Sequence, residues 1–307
     1  MRSVLFAALA AVIFSAAVFL ASPVQARDNI VVGSKIDTEG ALLGQMIILM
    51  LQKNGFEVED RTEFGPTNIV RQAIISDQID IYPEYTGNGG FFFENTDPAV
   101  WKDRQKAFET VKQLDMEQNG IVWLTPAPAN NTWAIAVRQD MSENENLRTL
   151  TDLGQYITRG GEFKIACSEE FVTRPDALPA FQQAYGFELS PDQMLILSGG
   201  NTAQTEKAAA QNISGVNAAM AYGTDGALAA LGLVVLEDSK GVQPVYEPAP
   251  IVRQEILAAN PEIQGILDPV FRSLDLVTLQ TLNAMIAIEG RDAAEVAREY
   301  LVSKKFL

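Results

Sequence analysis

Two proline-marked breaks interrupt a regular alternation of short apolar runs and helix-length segments, and they most constrain how this chain can fold. The first break is Thr125-Pro126-Ala127-Pro128-Ala129-Asn130-Asn131; the second, 242–250, contains Pro244, Pro248 and Pro250. Before the first break, the runs at 30–33, 56–62, 79–82 and 121–124 read as strands, with helical patterns at 38–54, 67–75 and 98–119 between them. Thr38 and Thr67 are placed to cap helices, Gly55 to stop one, and Pro98 to open one in its first turn. Between the breaks come predicted strands at 132–137, 163–167, 194–197 and 218–222 and helices at 175–185 and 202–212; the residues after the second break are mostly helical. Strands alternating with helices predict an α/β architecture. Its predicted division is a first lobe from 27–131, a second lobe from 132–242, and a return to the first lobe through 243–307. Two crossing strands, near Asn131 and near Tyr246, would form a hinge, and ligands favour such interfaces. A single larger α/β domain with proline-containing loops is the competing reading.

Bulk properties narrow the function. Residues 1–26 carry Arg2, an apolar run broken only by Ser15, and the small-residue site Val24-Gln25-Ala26, which predicts a secretory signal cut after Ala26. An uncleaved anchor is the alternative, since the apolar run is nearly long enough to span a bilayer. The remaining chain, of about 280 residues, is long enough for two lobes. Its formal charge of -16 for the whole sequence argues against nucleic acid and anionic membrane surfaces as partners. There is no histidine, so histidine triads, bases and metal sites are excluded, and no cofactor is expected. Cys167, the one cysteine, permits no internal disulfide and reads as a buried thiol. A secreted chain with no lipidation cysteine at its signal fits the periplasm.

The block Asp80-Ile81-Tyr82-Pro83-Glu84-Tyr85-Thr86-Gly87 reads as a buried strand that stops at a proline and delivers Tyr85 to the glycine-rich loop Gly87-Asn88-Gly89-Gly90. Ligands in open α/β sheets sit just beyond such strand ends. The loop lacks the Lys-Ser/Thr of a phosphate loop and the spacing of a dinucleotide fingerprint. Asp80 and Glu84, four apart, could make a hydrolytic carboxylate pair only if the strand continued past Pro83. Asp225 reads as a helix cap, and Phe91-Phe92-Phe93 as packing rather than a contact for a partner protein.

Four blocks in order resemble one family. Gly33-Ser34-Lys35 with Thr38-Glu39, the Asp80–Gly87 block, Asn131-Thr132-Trp133-Ala134-Ile135-Ala136-Val137, and Ala221-Tyr222-Gly223-Thr224-Asp225-Gly226 are similar to the glycine betaine/choline/carnitine substrate-binding proteins of ABC importers. The stretch 124–133 resembles their OsmF/YehZ-type osmoprotectant-binding branch. The resemblance implies a type II periplasmic binding fold, two α/β lobes joined by a two-strand hinge, with no catalysis. It also implies an ABC permease and a cytoplasmic ATPase as partners, with the receptor itself a monomer.

A quaternary ammonium donates no hydrogen bond, so a box of aromatic faces can replace its water, each ring contributing roughly 0.5–2 kcal/mol. By resemblance the walls are Tyr85, Trp133, Tyr222 and Tyr246. The carboxylate of a betaine would meet Lys35 and Arg174 from opposite lobes, with Asn88 adding an amide. Salt-bridged structural roles for Lys35 and Arg174 are the alternative. Two departures from the family pattern stand out: Asp37 where many relatives carry an aromatic, and Trp133 where many carry tyrosine. A receptor of the same fold for an amino acid or another small polar solute is the runner-up.

Overall fold

The structure, a computed structural model, describes residues 29–307; the predicted signal segment lies outside them. Among these residues are ten strands, numbered in chain order, in two five-stranded sheets. The first sheet has β1 (Ile30–Lys35), β2 (Val58–Gly65), β3 (Ile81–Tyr85), β4 (Ile121–Trp123) and β10 (Pro248–Arg253), in the order β2-β1-β3-β10-β4. The second has β5 (Trp133–Arg138), β6 (Ile165–Ser168), β7 (Met194–Leu197), β8 (Ala218–Tyr222) and β9 (Leu233–Val235), in the order β7-β6-β8-β5-β9. Each sheet has a parallel part, and in each one strand, β10 or β5, runs antiparallel between two others.

The chain passes from one sheet to the other after β4 and comes back before β10. The two crossings bond to each other: Asn131 N donates to Tyr246 O and Tyr246 N to Asn130 Oδ1, both at 2.8 Å. The β1 run is buried along its whole length, as expected of a parallel strand covered on both faces. The helix Thr38–Lys53 is apolar nearly all round for a related reason. Its Leu42, Leu43, Met46 and Ile47 share one core with Ile263, Leu267 and Phe271 of helix Glu262–Arg272 and with Val296 and Leu301 of helix Ala293–Ser303. The C-terminal helices therefore cover the first lobe. In the second lobe β5 alternates strictly: Trp133, Ile135 and Val137 join one core, Ala134 and Ala136 the other.

Several local expectations are corrected. Asp37, not Thr38, caps the first helix, its Oδ1 accepting from Gly40 N at 2.7 Å. Thr67 begins its helix rather than capping it, after Pro66. The helix expected from Pro98 starts at Arg104, where the Asp103 side chain accepts from Lys106 N and supplies a better cap. Asp225 caps no helix; its carboxylate takes Tyr222 N at 2.6 Å and the Thr202 hydroxyl at 3.0 Å. Nor does β3 stop at Pro83: it runs to Tyr85, with Pro83 directly opposite Pro250 on β10. Two residues that cannot donate are tolerated in the ladder as an opposed pair that exchanges no N–H bond. The glycine-rich loop coils instead into a 3₁₀ turn and the short helix Gly89–Phe92. A side chain on Gly89 would overlap the Trp101 ring, so the turn packs closely on that indole.

Candidate functional site

The ends of β1, β3, β5 and β8 and the second crossing converge on one small cavity of about 30 Å³ between the sheets. All seven residues singled out from the sequence line it: Lys35, Tyr85, Asn88, Trp133, Arg174, Tyr222 and Tyr246. Asp37, Asn131 and Glu170 line it as well.

Strand register builds the second-lobe wall. Trp133, first in β5, lies opposite Tyr222, last in β8. Gly223 N donates to Thr132 O one step further on, so 133 and 222 form a non-hydrogen-bonded pair, the type with the closer side chains. Their ring centroids are 4.7 Å apart at 43°. The Tyr222 N–H, turned away from β5, is taken by Asp225. Behind Trp133 stands the fully buried Phe171, 5.2 Å away between centroids. Burial first, then Glu170 and Asp37, push the Tyr222 phenol well above its ordinary value, so it faces the cavity uncharged.

The first-lobe wall is organised by Glu84. Its carboxylate accepts from Lys35 Nζ at 2.6 Å, Asn88 Nδ2 at 2.7 Å, the Tyr82 hydroxyl at 2.8 Å and Tyr85 N at 2.6 Å. Lys35 is buried, and its ammonium already lies 4.5 Å from the Tyr85 ring centroid. Its geometry is that of the salt-bridged alternative rather than a free cationic arm. Asp80 is likewise committed, accepting from Val31 N at 2.9 Å and from Arg253 at 2.9 Å. With Asp80 and Glu84 each held by its own cation, the hydrolytic pair has no free member.

Arg174 uses all five of its N–H groups. Nε and Nη2 grip Asp176 at 2.9 and 2.5 Å, Nη1 reaches Asn88 Oδ1 at 2.8 Å and Glu170 at 3.0 Å, and Nη2 also reaches the Tyr246 hydroxyl at 3.3 Å. The Asn88 bond ties the second lobe to the first. Burial opposes the guanidinium charge, but the Asp176 and Glu170 carboxylates outweigh it and raise the pKa of Arg174. The Tyr246 phenol, raised chiefly by burial, stays protonated beside it. A betaine carboxylate could bond Arg174 only by replacing one of these acceptors.

The sequence reading missed three contributors. Phe91, read as packing, is 41% exposed and lies 4.3 Å from the Arg174 guanidinium, while Phe92 and Phe93 do pack, against the core and Arg71. Asp37, noted only as a departure, brings a carboxylate to the cavity. Burial raises its pKa most, and Lys35 and the Gly40 amide pull it back. Glu39 stands behind Tyr85 and accepts its hydroxyl at 3.0 Å. The signal for Asp37 and Glu39 was their place beside Gly33-Ser34-Lys35; Phe91 carried none, because its partner is 83 positions away.

Two α/β lobes, a pair of hinge crossings and an aromatic-walled cavity between them define a solute-binding protein of the type II periplasmic class, a binding role rather than a catalytic one. Residues 28–303 match the family model for the substrate binding domain of ABC-type glycine betaine transport systems, and the chain belongs to that family. It is 58% identical over 282 residues to the glycine betaine-binding protein YehZ of Escherichia coli K12, covering 92% of each chain. It is 32% identical over 292 residues to a glycine-betaine-binding protein of Pseudomonas aeruginosa, covering 93% of this chain and 91% of that one. The solved structure of apo YehZ from E. coli superposes with a TM-score of 0.66 at 57% identity, covering 91% of this chain and 99% of that one.

Proposed function

We propose that this protein captures a quaternary-ammonium osmoprotectant, glycine betaine foremost, in the cavity walled by Tyr85, Trp133, Tyr222 and Tyr246. It closes its lobes on the ligand and delivers it to an ABC permease driven by a cytoplasmic ATPase. We place it in the periplasm as a monomer, after cleavage of residues 1–26, with segments 27–131 and 243–307 as one lobe and 132–242 as the other. The relatives named above bind glycine betaine. The observation that carries the reading is the convergence of four aromatic residues, from both sheets and the second crossing, on one cavity that also holds the Asp37 carboxylate. Methyl groups meet ring faces there, and the cation meets ring quadrupoles and a nearby negative charge. The bond from Arg174 to Asn88, between the lobes, supports a closed arrangement.

Calorimetric titration of the purified protein with glycine betaine, dimethylglycine, sarcosine, glycine and choline tests this. Affinity should rise with each added methyl group and collapse in Tyr85→Ala or Trp133→Ala, by about tenfold or more per ring. Tight binding of glycine or another unmethylated amino acid, without response to betaine, would instead make this a receptor for small polar solutes.

A further inference from the structure

Two sequence blocks are not used up by the cavity, Thr38-Glu39 and Thr224-Asp225-Gly226, and the fold brings them together behind it. Glu39, in the first turn of helix Thr38–Lys53, is 3% exposed, and among the described residues it makes no ion pair. Neutral donors surround its carboxylate. Oε1 accepts from the Tyr85 hydroxyl at 3.0 Å and from Asn131 Nδ2, on the first crossing, at 2.7 Å. Oε2 accepts from Asn283 Nδ2, on helix Leu276–Ala287, at 2.8 Å. The same Asn283 nitrogen donates to Thr224 O at 3.1 Å, in the loop after β8 of the second lobe. One turn away on that helix, Gln280 Nε2 donates to Gly223 O at 3.0 Å. The Thr224 hydroxyl, fully buried beside this contact, has no hydrogen-bond partner among the described residues.

We propose that Glu39 is a positioning residue that sets the Tyr85 ring against the bound cation and, through Asn283, locks the two lobes around it. Burying a carboxylate with no counter-charge is costly unless its oxygens are filled with donors. Here the donors come from the cavity wall, the hinge and the first-lobe helix Leu276–Ala287, whose Asn283 also bonds Thr224 O of the second lobe, so the carboxylate links the wall to the lobe contact through one amide. A hydrogen bond to an anion is stronger than one to a neutral group, which holds the phenol in one orientation. The donated hydroxyl also enriches the ring in electron density, which strengthens its pull on a cation. Glu39 thus favours a positively charged ligand over a neutral isostere without touching either.

The inference rests on Tyr85 being a cavity wall for the ligand, and the test separates the two. Glycine betaine affinity is measured by calorimetry, and ligand-induced compaction by small-angle scattering, in Glu39→Gln, Tyr85→Phe, the double variant, Asn283→Ala and Tyr85→Ala. Glu39→Gln should weaken betaine by about tenfold or more, the scale of a lost charge-assisted bond, and should reduce compaction. Tyr85→Phe keeps the ring and removes the hydroxyl, so the Glu39→Gln loss should shrink in the double variant. A Glu39→Gln affinity within about twofold of wild type, or a loss unchanged by removal of the Tyr85 hydroxyl with compaction intact, overturns the proposal. Should Glu39→Gln fail to fold, Tyr85→Phe and Asn283→Ala carry the test. Each should weaken binding about threefold or more, and normal binding in both overturns it. Wild-type affinity in Tyr85→Ala would sink the cavity reading itself; loss in Tyr85→Ala with normal Glu39→Gln would sink only this inference.

Discussion

At the scale of single residues, the charges around the cavity decide more than its rings. Sequence reading offered Lys35 and Arg174 as two free cations for a carboxylate. Both are buried and answered by protein carboxylates: Lys35 by Glu84, Arg174 by Asp176 and Glu170. Asp37 then adds a carboxylate of its own, so the residues lining the cavity suit a cation better than an anion. Arg174 also ties the lobes through Asn88, and two effects therefore follow from its removal. We expect Arg174→Ala to weaken choline by loss of the tie, and glycine betaine by about a further tenfold, since only betaine offers a carboxylate. Paired titrations check this; equal losses for the two ligands would leave Arg174 a purely structural tie.

Among the elements, β8 and the loop that follows it depend on a buried carboxyl pair. Asp225 holds Tyr222 N and the Thr202 hydroxyl, and Glu206, one turn beyond Thr202 on helix Thr202–Ala210, lies against it with 1% exposure. Neither forms an ion pair among the described residues, so the pair keeps a proton. Burial, then the charge of Asp225, raises Glu206 from 4.5 to about 10. The unfolded chain releases that proton near 4.5 while the folded one keeps it. Stability from this group is therefore full below 4.5 and is lost progressively as pH rises towards 10. Thermal unfolding across that window should fall with pH in the wild type and fall less steeply in Glu206→Gln, whose amide can still donate to Asp225. Parallel slopes would show that the pair does not carry the proton.

For the whole molecule, we expect binding to depend on how closely the lobes approach. Gly226 meets helix Leu276–Ala287 at backbone distance, and any side chain there would overlap the Gln280 carbonyl. The nearest obstacle is main chain, which cannot swing aside as a flexible side-chain tip can. Gly226→Ala should hold the lobes apart while leaving each lobe's own core intact. Betaine affinity should drop on the scale of overpacking, about 1–3 kcal/mol, with little change in the melting temperature of the ligand-free protein. Scattering profiles that compact normally with ligand would refute this.

What the sequence alone determined is what local order encodes. Strand ends, helix stops and the two proline-marked crossings are written in neighbouring residues. Tyr85, Trp133, Tyr222 and Tyr246 were singled out by the family resemblance, and each sits at a strand end or a crossing. Tertiary structure decided what those positions do together. Whether Lys35 is free or paired depends on Glu84, 49 positions away, and Arg174 answers to Asn88, 86 away. Glu39 finds Asn283 across 244 positions. Nothing local signals such pairs: a charge has no periodicity that names its partner, and only packing at low dielectric forces each buried ion to find one.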